Sequence, residues 1–401
     1  MSLDITKVAA QIGAMAEKLA ENGAEHQAHL TAAAGQLSSV GNPAALLDKV
    51  RRSKTSFLLA APLTPLDEKL LPQPPPVTYS VVATDGSHID IDRHHAAPCS
   101  LINIGEVQLD YGEDSGAVLG SQPRLLSDDA DLFIRDPGGN RETPLQGALL
   151  GIKRDIDECS ALVALSAALP SDRPVLALAD GTLIRWNLTT ANYDAYVLRE
   201  LLDNGYLKCL SAFKQLCAER PLAVASYISQ PGGNEVVNTL RLTLCPHEPA
   251  NCDRYCGALK TGERPCDPVS GVSDAALFDR FLGTGERSGI FESTSKVIGQ
   301  YYGEHRICFF YLKLEDEIAR IELPIWLASD SDRVNMIHGL VLEQVKKGNG
   351  YPVALAEAHE QAVVTGADRE LFYEVVDTYL TDRGLPTAVS AKSFSKKARW
   401  I

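Results

Sequence analysis

Two short stretches place acids where metal chemistry is plausible: Thr84-Asp85-Gly86-Ser87 and Ala179-Asp180-Gly181-Thr182. Each follows an apolar run, Tyr79 to Thr84 and Val175 to Ala179, that reads as a buried strand. A carboxylate at the edge of a core is costly to keep ionised unless a counter-charge meets it. The glycine after each acid lets the backbone turn at once. Two such strand ends brought to one end of a sheet would set two carboxylates against each other, and a cation between them would relieve the repulsion. All-oxygen ligation of this type selects Mg²⁺ or Mn²⁺ over Zn²⁺. Asp-Gly is also the commonest hairpin dipeptide, so one copy alone reads as a turn. Two copies after two apolar strands favour a site.

A cage needs a third acid. Asp155, Asp157 and Glu158 lie in a stretch of helical spacing, Leu145 to Leu169, where Ile152, Ile156, Leu162 and Val163 form an apolar face that leaves Glu158 less than fully exposed, although each of the three alone reads as a solvated charge. Further on, Gly350-Tyr351-Pro352 leads into a helix-like run of small residues that ends in Ala358-His359. An imidazole at position 359 suits protonation of a leaving group or contact with phosphate, although a lone His of this kind also reads as a hydrogen-bonded structural residue. A phosphatase with an aspartyl nucleophile would need an Asp two positions before Asp180, where Leu178 stands.

The nine cysteines divide into two sets. Cys99, Cys159, Cys209, Cys217 and Cys308 sit in apolar runs and read as core. Cys245, Cys252, Cys256 and Cys266 are spaced C-x6-C-x3-C-x9-C near His247, a set that suits structural Zn²⁺ or an iron–sulfur cluster. That spacing lacks the C-x2-C knuckles of common zinc ribbons, and the alternative is a loop of free thiols.

The elements that must position these groups follow from pattern. Val8, Ile12, Met15 and Leu19 fall on one helix face, Ala-rich turns continue through Leu30, Leu37 and Val40, and Asn42 with Pro43 opens a second helix carrying Leu46, Leu47 and Val50. Residues 1–60 are therefore expected to form a helical arm, a candidate dimerisation element, the alternative being a helix pair packed on its own domain. A proline-rich linker, 61–77, carries Pro62, Pro65, Pro72, Pro74, Pro75 and Pro76. The domain beyond, 78–401, would hold the acids, with a Cys-rich insertion at about 245–266. Within it, Ile102 to Tyr111 and Leu222 to Ile228 read as strands, Ala195 to Cys217 as helix, and Arg306 to Leu314 with Ile318 to Ile325 as a hairpin. The last seventy residues read as helix. The sum is a mixed-sheet α/β fold flanked by helices.

Composition limits the partners. Of 401 residues, 45% are hydrophobic and 22% charged, which excludes a wholly disordered chain. No apolar run is long enough for a membrane helix, and the N-terminus shows no signal-peptide pattern, so a cytoplasmic protein is expected. With 38 Lys+Arg against 52 Asp+Glu the net charge is −14. Any contact with nucleic acid must then be confined to a local groove, a metal site or a partner's channel.

In order and separation these landmarks resemble the NurA nuclease family, which accompanies HerA-type DNA-translocating ATPases. The likeness runs from about Tyr79 to the end. It rests on the two Asp-Gly strand ends, on Gly-Tyr-Pro followed by Ala-His, on Gly285-Glu286-Arg287-Ser288, and on Ser390-Ala391-Lys392 to Ser395-Lys396-Lys397. The resemblance implies an RNase H-like core, a homodimer, and Mn²⁺-dependent cleavage of DNA by two-metal catalysis. Asp85 and Asp180 match the metal-binding acids, Glu158 is the choice for the intervening acid, and Tyr351 and His359 match the active-site Tyr and His. A Lys common in archaeal members is replaced here by the stretch Ser226-Tyr227-Ile228-Ser229-Gln230-Pro231. Arg287 is a candidate phosphate clamp, or else a surface ion pair with Glu286 or Glu292. Lys392, Lys396, Lys397 and Arg399, beside Phe394 and Trp400, are candidates to touch DNA or the motor. The expected function is a metal-dependent DNA nuclease working with a hexameric translocase in end processing, repair or defence. The alternatives are a scaffold or regulatory subunit of that complex, and a metal-dependent phosphatase or nucleotidase.

Overall fold

A computed structural model describes residues 4–40, 43–91, 98–190, 192–385 and 387. The chain forms two compact units, Pro74–Tyr227 with Ser329–Ile401, and Met1–Gln73 with Ile228–Ala328. This grouping differs from the division read from the sequence, because the span 78–401 is shared between the two units. The reason lies in the arm. Leu30, Ala33, Leu37, Leu46 and Val50 share one apolar cluster with Val236, Leu240, Leu277 and Phe278, so the arm contributes to a core with residues two hundred positions away. The basic tail with Lys396 and Lys397, and the Asn42 cap, lie outside the described residues.

The first unit is built on a mixed sheet of β1 (Tyr79–Ile89), β2 (Ser100–Tyr111), β3 (Gly116–Leu126), β4 (Val175–Asp180) and β5 (Leu222–Ser229), in the order β5-β4-β1-β2-β3. The strands β1, β2 and β3 form an antiparallel meander, whereas β4 runs parallel to both β1 and β5. Parallel neighbours require a crossover, which α1 (Ala148–Ala168) supplies between β3 and β4. Val175, Leu176, Ala177 and Leu178 are fully buried, as a central parallel strand covered on both faces should be.

The stretch expected to be one helix over Ala195 to Cys217 is an α-turn, Ala195–Leu198, a wider π-type segment, Arg199–Tyr206, and α2 (Leu207–Glu219). The C-terminal helices are α3 (Ser331–Lys347), α4 (Val353–Ala362) and α5 (Gly366–Asp382). The mixed sheet flanked by helices is the architecture the sequence implied.

One correction bears on the site. β1 does not end at Asp85 but continues to Ile89, paired with β2 as far as Ile89↔Leu101. Its pairing with β4 ends at Thr84↔Ala179. Asp85 therefore sits where β1 loses one neighbour, not where the strand ends.

In the second unit the long helix Ile5–Ser39 buries Leu30, Ala33 and Leu37 and leaves Ile12, Met15 and Leu19 exposed. The expected hairpin is present as β6 (Ile307–Lys313) and β7 (Ile318–Pro324), with Phe291–Ser293 and Ala60–Pro62 extending the sheet beyond β6. Behind it lies a buried polar network. Arg320 donates to Glu235 at 2.6 Å and Glu322 at 2.9 Å. Asp274 accepts from the backbone of Val236 and Val237 and from the Tyr311 hydroxyl at 2.8 Å. It thereby caps the helix Glu235–Thr243 from a distance in sequence. No helix among the described residues is long and apolar enough to cross a membrane.

Candidate active site

The parallel register that pairs Thr84 with Ala179 puts Asp85 and Asp180 at the next positions of adjoining strands. Such strands lie about 4.8 Å apart, so the two carboxylates leave the same end of the sheet together. The two glycines that follow do different work. Gly181 has φ +73°, and its N–H donates to Tyr227 O at 3.0 Å and to Asp180 Oδ1 at 2.9 Å, so β4 does turn there. Gly86 stays in the strand. A Cβ on it would stand 2.5 Å from Glu158 Oε1 and 2.8 Å from Arg154 Cγ, so its bareness makes room for side chains from α1.

Those side chains bring the third acid. Thr84 Oγ1 donates to the backbone carbonyl of Glu158 at 2.9 Å and fastens α1 to β1. Asp155 is engaged by Arg154 at 2.8 Å and Arg185 at 2.9 Å, and Asp157 is paired with Lys153. Glu158 is the one of the three that reaches Gly86. Its side chain keeps 22% exposure, yet Oε1 is buried and makes no hydrogen bond; Arg154 Nε lies 3.0 Å away. Burial pushes its carboxyl up to about 8, with the charge of Arg154 opposing and Asp155 and Asp85 adding. Asp180 is also raised, mainly by burial; the Tyr351 hydroxyl opposes this, and the Asp85 charge reinforces it.

Tyr351 and His359 complete the group. The Tyr351 hydroxyl donates to Asp180 Oδ1 at 3.0 Å, and its ring meets Tyr227 edge-on at 5.5 Å. His359 Nδ1 lies 2.8 Å from Asp85 Oδ2, with the imidazole 66% exposed. Its position depends on how closely α4 approaches the sheet. Ala354, Ala358 and Ala362 are buried, and a Cβ on Gly105 of β2 would come within 2.3 Å of Ala358 O. Ser87 Oγ and Asn103 Nδ2 both donate to Ala362 O, at 2.7 and 3.0 Å. Small residues on both surfaces thus bring the histidine to Asp85.

A family model for the NurA domain matches residues 79–364. The chain belongs to the NurA family. Its match takes in Asp85, Glu158, Asp180, Tyr351 and His359. Among solved structures it is similar to the crystal structure of the NurA nuclease from Sulfolobus solfataricus, at 13% identity over 96% of this chain and 98% of that chain, with a TM-score of 0.48. It is also similar to the crystal structure of NurA with manganese (11% identity, 77% of this chain and 90% of that chain, TM-score 0.38). A third is NurA bound to dAMP and manganese (12% identity, 76% and 89%, TM-score 0.34). No curated protein matches the chain.

Some features here suit a divalent ion. The converging donors are hard oxygens, Glu158 Oε1 is a buried acceptor without a hydrogen bond, and Gly86 leaves space around it. In this arrangement the carboxylates are engaged by protein groups: Asp85 by His359, Asp180 by Tyr351, Glu158 by Arg154. Among the described residues no group of three or more His, Cys, Asp or Glu side chains is disposed to hold a metal ion.

Other expected residues of this NurA-family chain stand elsewhere. Arg287 belongs to the second unit and is 5% exposed, its guanidinium donating to Ser288 O at 3.1 Å and lying 5.5 Å from the Phe310 ring centre. Burial lowers its pKa against the pull of Glu68. It is not a solvent-facing clamp, and it is not paired with the expected acids, because Glu286 accepts from Gly283 and Glu292 pairs with Arg306. It was misread because the sequence does not show that Arg287 pairs with both Leu312 and Leu70.

Cys245, Cys252, Cys256 and Cys266 line one small cavity with Phe57, Arg241 and Tyr255, and Arg241 lies 3.4 Å from Cys266 Sγ. Burial and the neighbouring sulfurs raise the Cys256 thiol. All four cysteines are free, and the zinc or iron–sulfur expectation finds no support in their disposition. The sequence reading missed Arg154, although its position four residues before Glu158 puts both on one helix face.

Proposed function

We propose that the chain is a Mn²⁺-dependent nuclease that hydrolyses phosphodiester bonds in DNA. The observation that carries this is the convergence of Asp85, Glu158 and Asp180, from three separate elements, beside Tyr351 and His359. Membership of the NurA family supports it.

Asp85, Asp180 and Glu158 would hold two divalent ions. When bound, these would polarise the phosphodiester and lower the pKa of the attacking water. The chain's own groups then have separate tasks. Asp85 accepts from His359 Nδ1 and fixes the ring, which leaves the far nitrogen at the exposed side to hand a proton to the departing oxygen. Tyr351 holds Asp180 in one orientation through its hydroxyl, and its ring is set by Tyr227. A net charge of −14 argues that the DNA contact is local. Delivery of DNA by a HerA-type hexameric translocase to a homodimer of this chain would suit such a surface.

Purified Asp85→Ala and Asp180→Ala are expected to lose Mn²⁺-dependent cleavage of linear DNA to background while keeping the wild-type circular dichroism spectrum. Full cleavage by either would remove the assignment. Turnover of mononucleotides with no cleavage of DNA would favour a nucleotidase instead.

A further inference from the structure

Arg154 has no part in the mechanism above, yet it makes the closest cationic approach to the third acid. Its Nε lies 3.0 Å from Glu158 Oε1, and both atoms are fully buried. At that separation a hydrogen bond would be expected, but neither atom makes one. The two groups stand at ion-pair distance without directional bonding. Arg154 is otherwise secured, because its Nη2 donates to Asp155 Oδ1 at 2.8 Å, and Asp155 in turn is held by Arg185 at 2.9 Å. Arg185 donates to Thr182 O at 2.8 Å, two residues beyond Asp180. The guanidinium can therefore release Glu158 without losing its anchor.

We propose that Arg154 is a positioning residue that serves as an internal counter-cation for Glu158 and yields that carboxylate to a divalent ion, so that the ion and the guanidinium compete for Oε1. This rests on the reading of Glu158 as a metal ligand. The competition keeps three carboxylates together without a resident ion. It also weakens metal binding, because each ion must displace a charge already in place.

The sign of the effect separates this from a structural role. If Arg154 merely holds Glu158 in the right rotamer, removing it weakens metal binding; if it competes, removing it tightens binding. The test is titration of the full-length protein with Mn²⁺, following free Mn²⁺ by electron paramagnetic resonance. Arg154→Met is expected to bind at least fivefold more tightly than wild type. Arg154→Gln, uncharged but polar, carries the same expectation should Arg154→Met fail to fold. Arg154→Lys, which keeps the charge, is expected within twofold of wild type. Unchanged or weaker binding in the uncharged variants, or equal tightening in Arg154→Lys, overturns the competition. Wild-type binding that is lost in Asp180→Asn leaves the metal site standing in that event. No saturable binding in any variant overturns the metal site and the competition together.

Discussion

Each of the two units gathers several acids around one arginine, and the two clusters are built differently. In the second unit Arg320, on β7, is buried and bonds Glu235 at 2.6 Å and Glu322 at 2.9 Å, and lies 3.5 Å from the centre of the Phe309 ring. Ser293 adds a 2.7 Å bond to the other Glu235 oxygen. In the first unit Arg154 faces Glu158 with no hydrogen bond between them, and the adjoining His359 is mostly exposed. Clustered acids therefore do not by themselves mark a site. What marks one is an acceptor left unsatisfied next to groups that solvent can reach.

The largest effect should come from breaking the satisfied cluster. Arg320→Met leaves Glu235 and Glu322 buried without their cation, which costs about 3–5 kcal/mol where one partner of a buried pair is removed. Urea unfolding should show the loss. A variant within 1 kcal/mol of wild type would mean that the network relaxes, and the contrast between the clusters would fail.

Next in size is a pH effect from the same network. Burial is the first cause that pushes Asp274 up to about 6, against the bonds from Val236, Val237 and Tyr311, with Glu235 adding to the rise. A carboxyl whose folded pKa lies above its unfolded value binds its proton more tightly in the folded state. Its contribution to stability is then greatest below about pH 4 and falls as pH rises to about 6, by something on the order of 2–3 kcal/mol, beyond which it is flat. Urea midpoints across that range should fall with this slope in wild type and lose it in Asp274→Asn. An equal slope in both would assign it to other groups.

The sequence revealed the two clusters unequally, for physical reasons. Asp85 and Asp180 stand out as candidates because an acid following an apolar run is a local signal, whereas Tyr351 and His359 enter through the contiguous motifs of the family resemblance. The choice of Glu158 over Asp155 and Asp157 depends on Arg185, a residue of another segment that commits Asp155 elsewhere. Arg287 looked like a clamp because its burial comes from strand pairings with partners as distant as Leu70. The Glu235, Asp274 and Arg320 network left no trace, since its members lie 85 residues apart at the extreme and carry no common spacing. The division into units was hidden for the same reason.

The smallest effects come from two glycines that look equivalent in sequence and are not. A Cβ on Gly105 would meet backbone, 2.3 Å from Ala358 O and 2.6 Å from Ala362 N, so Gly105→Ala must push α4 away from the sheet and carry His359 off Asp85. Overpacking of this kind costs about 1–3 kcal/mol. Gly86→Ala meets side chains instead of backbone: Glu158 Oε1 at 2.5 Å, a far end that can swing aside, and the Arg154 stem at Cγ, 2.8 Å, which must also shift. Its cost in stability should be smaller than that of Gly105→Ala, because side chains yield more readily than backbone, while Mn²⁺ affinity falls because Glu158 no longer reaches the other two acids. Thermal melts and Mn²⁺ titrations of the two variants, run together, separate the cases. Equal melting temperatures with unchanged Mn²⁺ affinity in Gly86→Ala would show that the third ligand does not depend on the space beside β1.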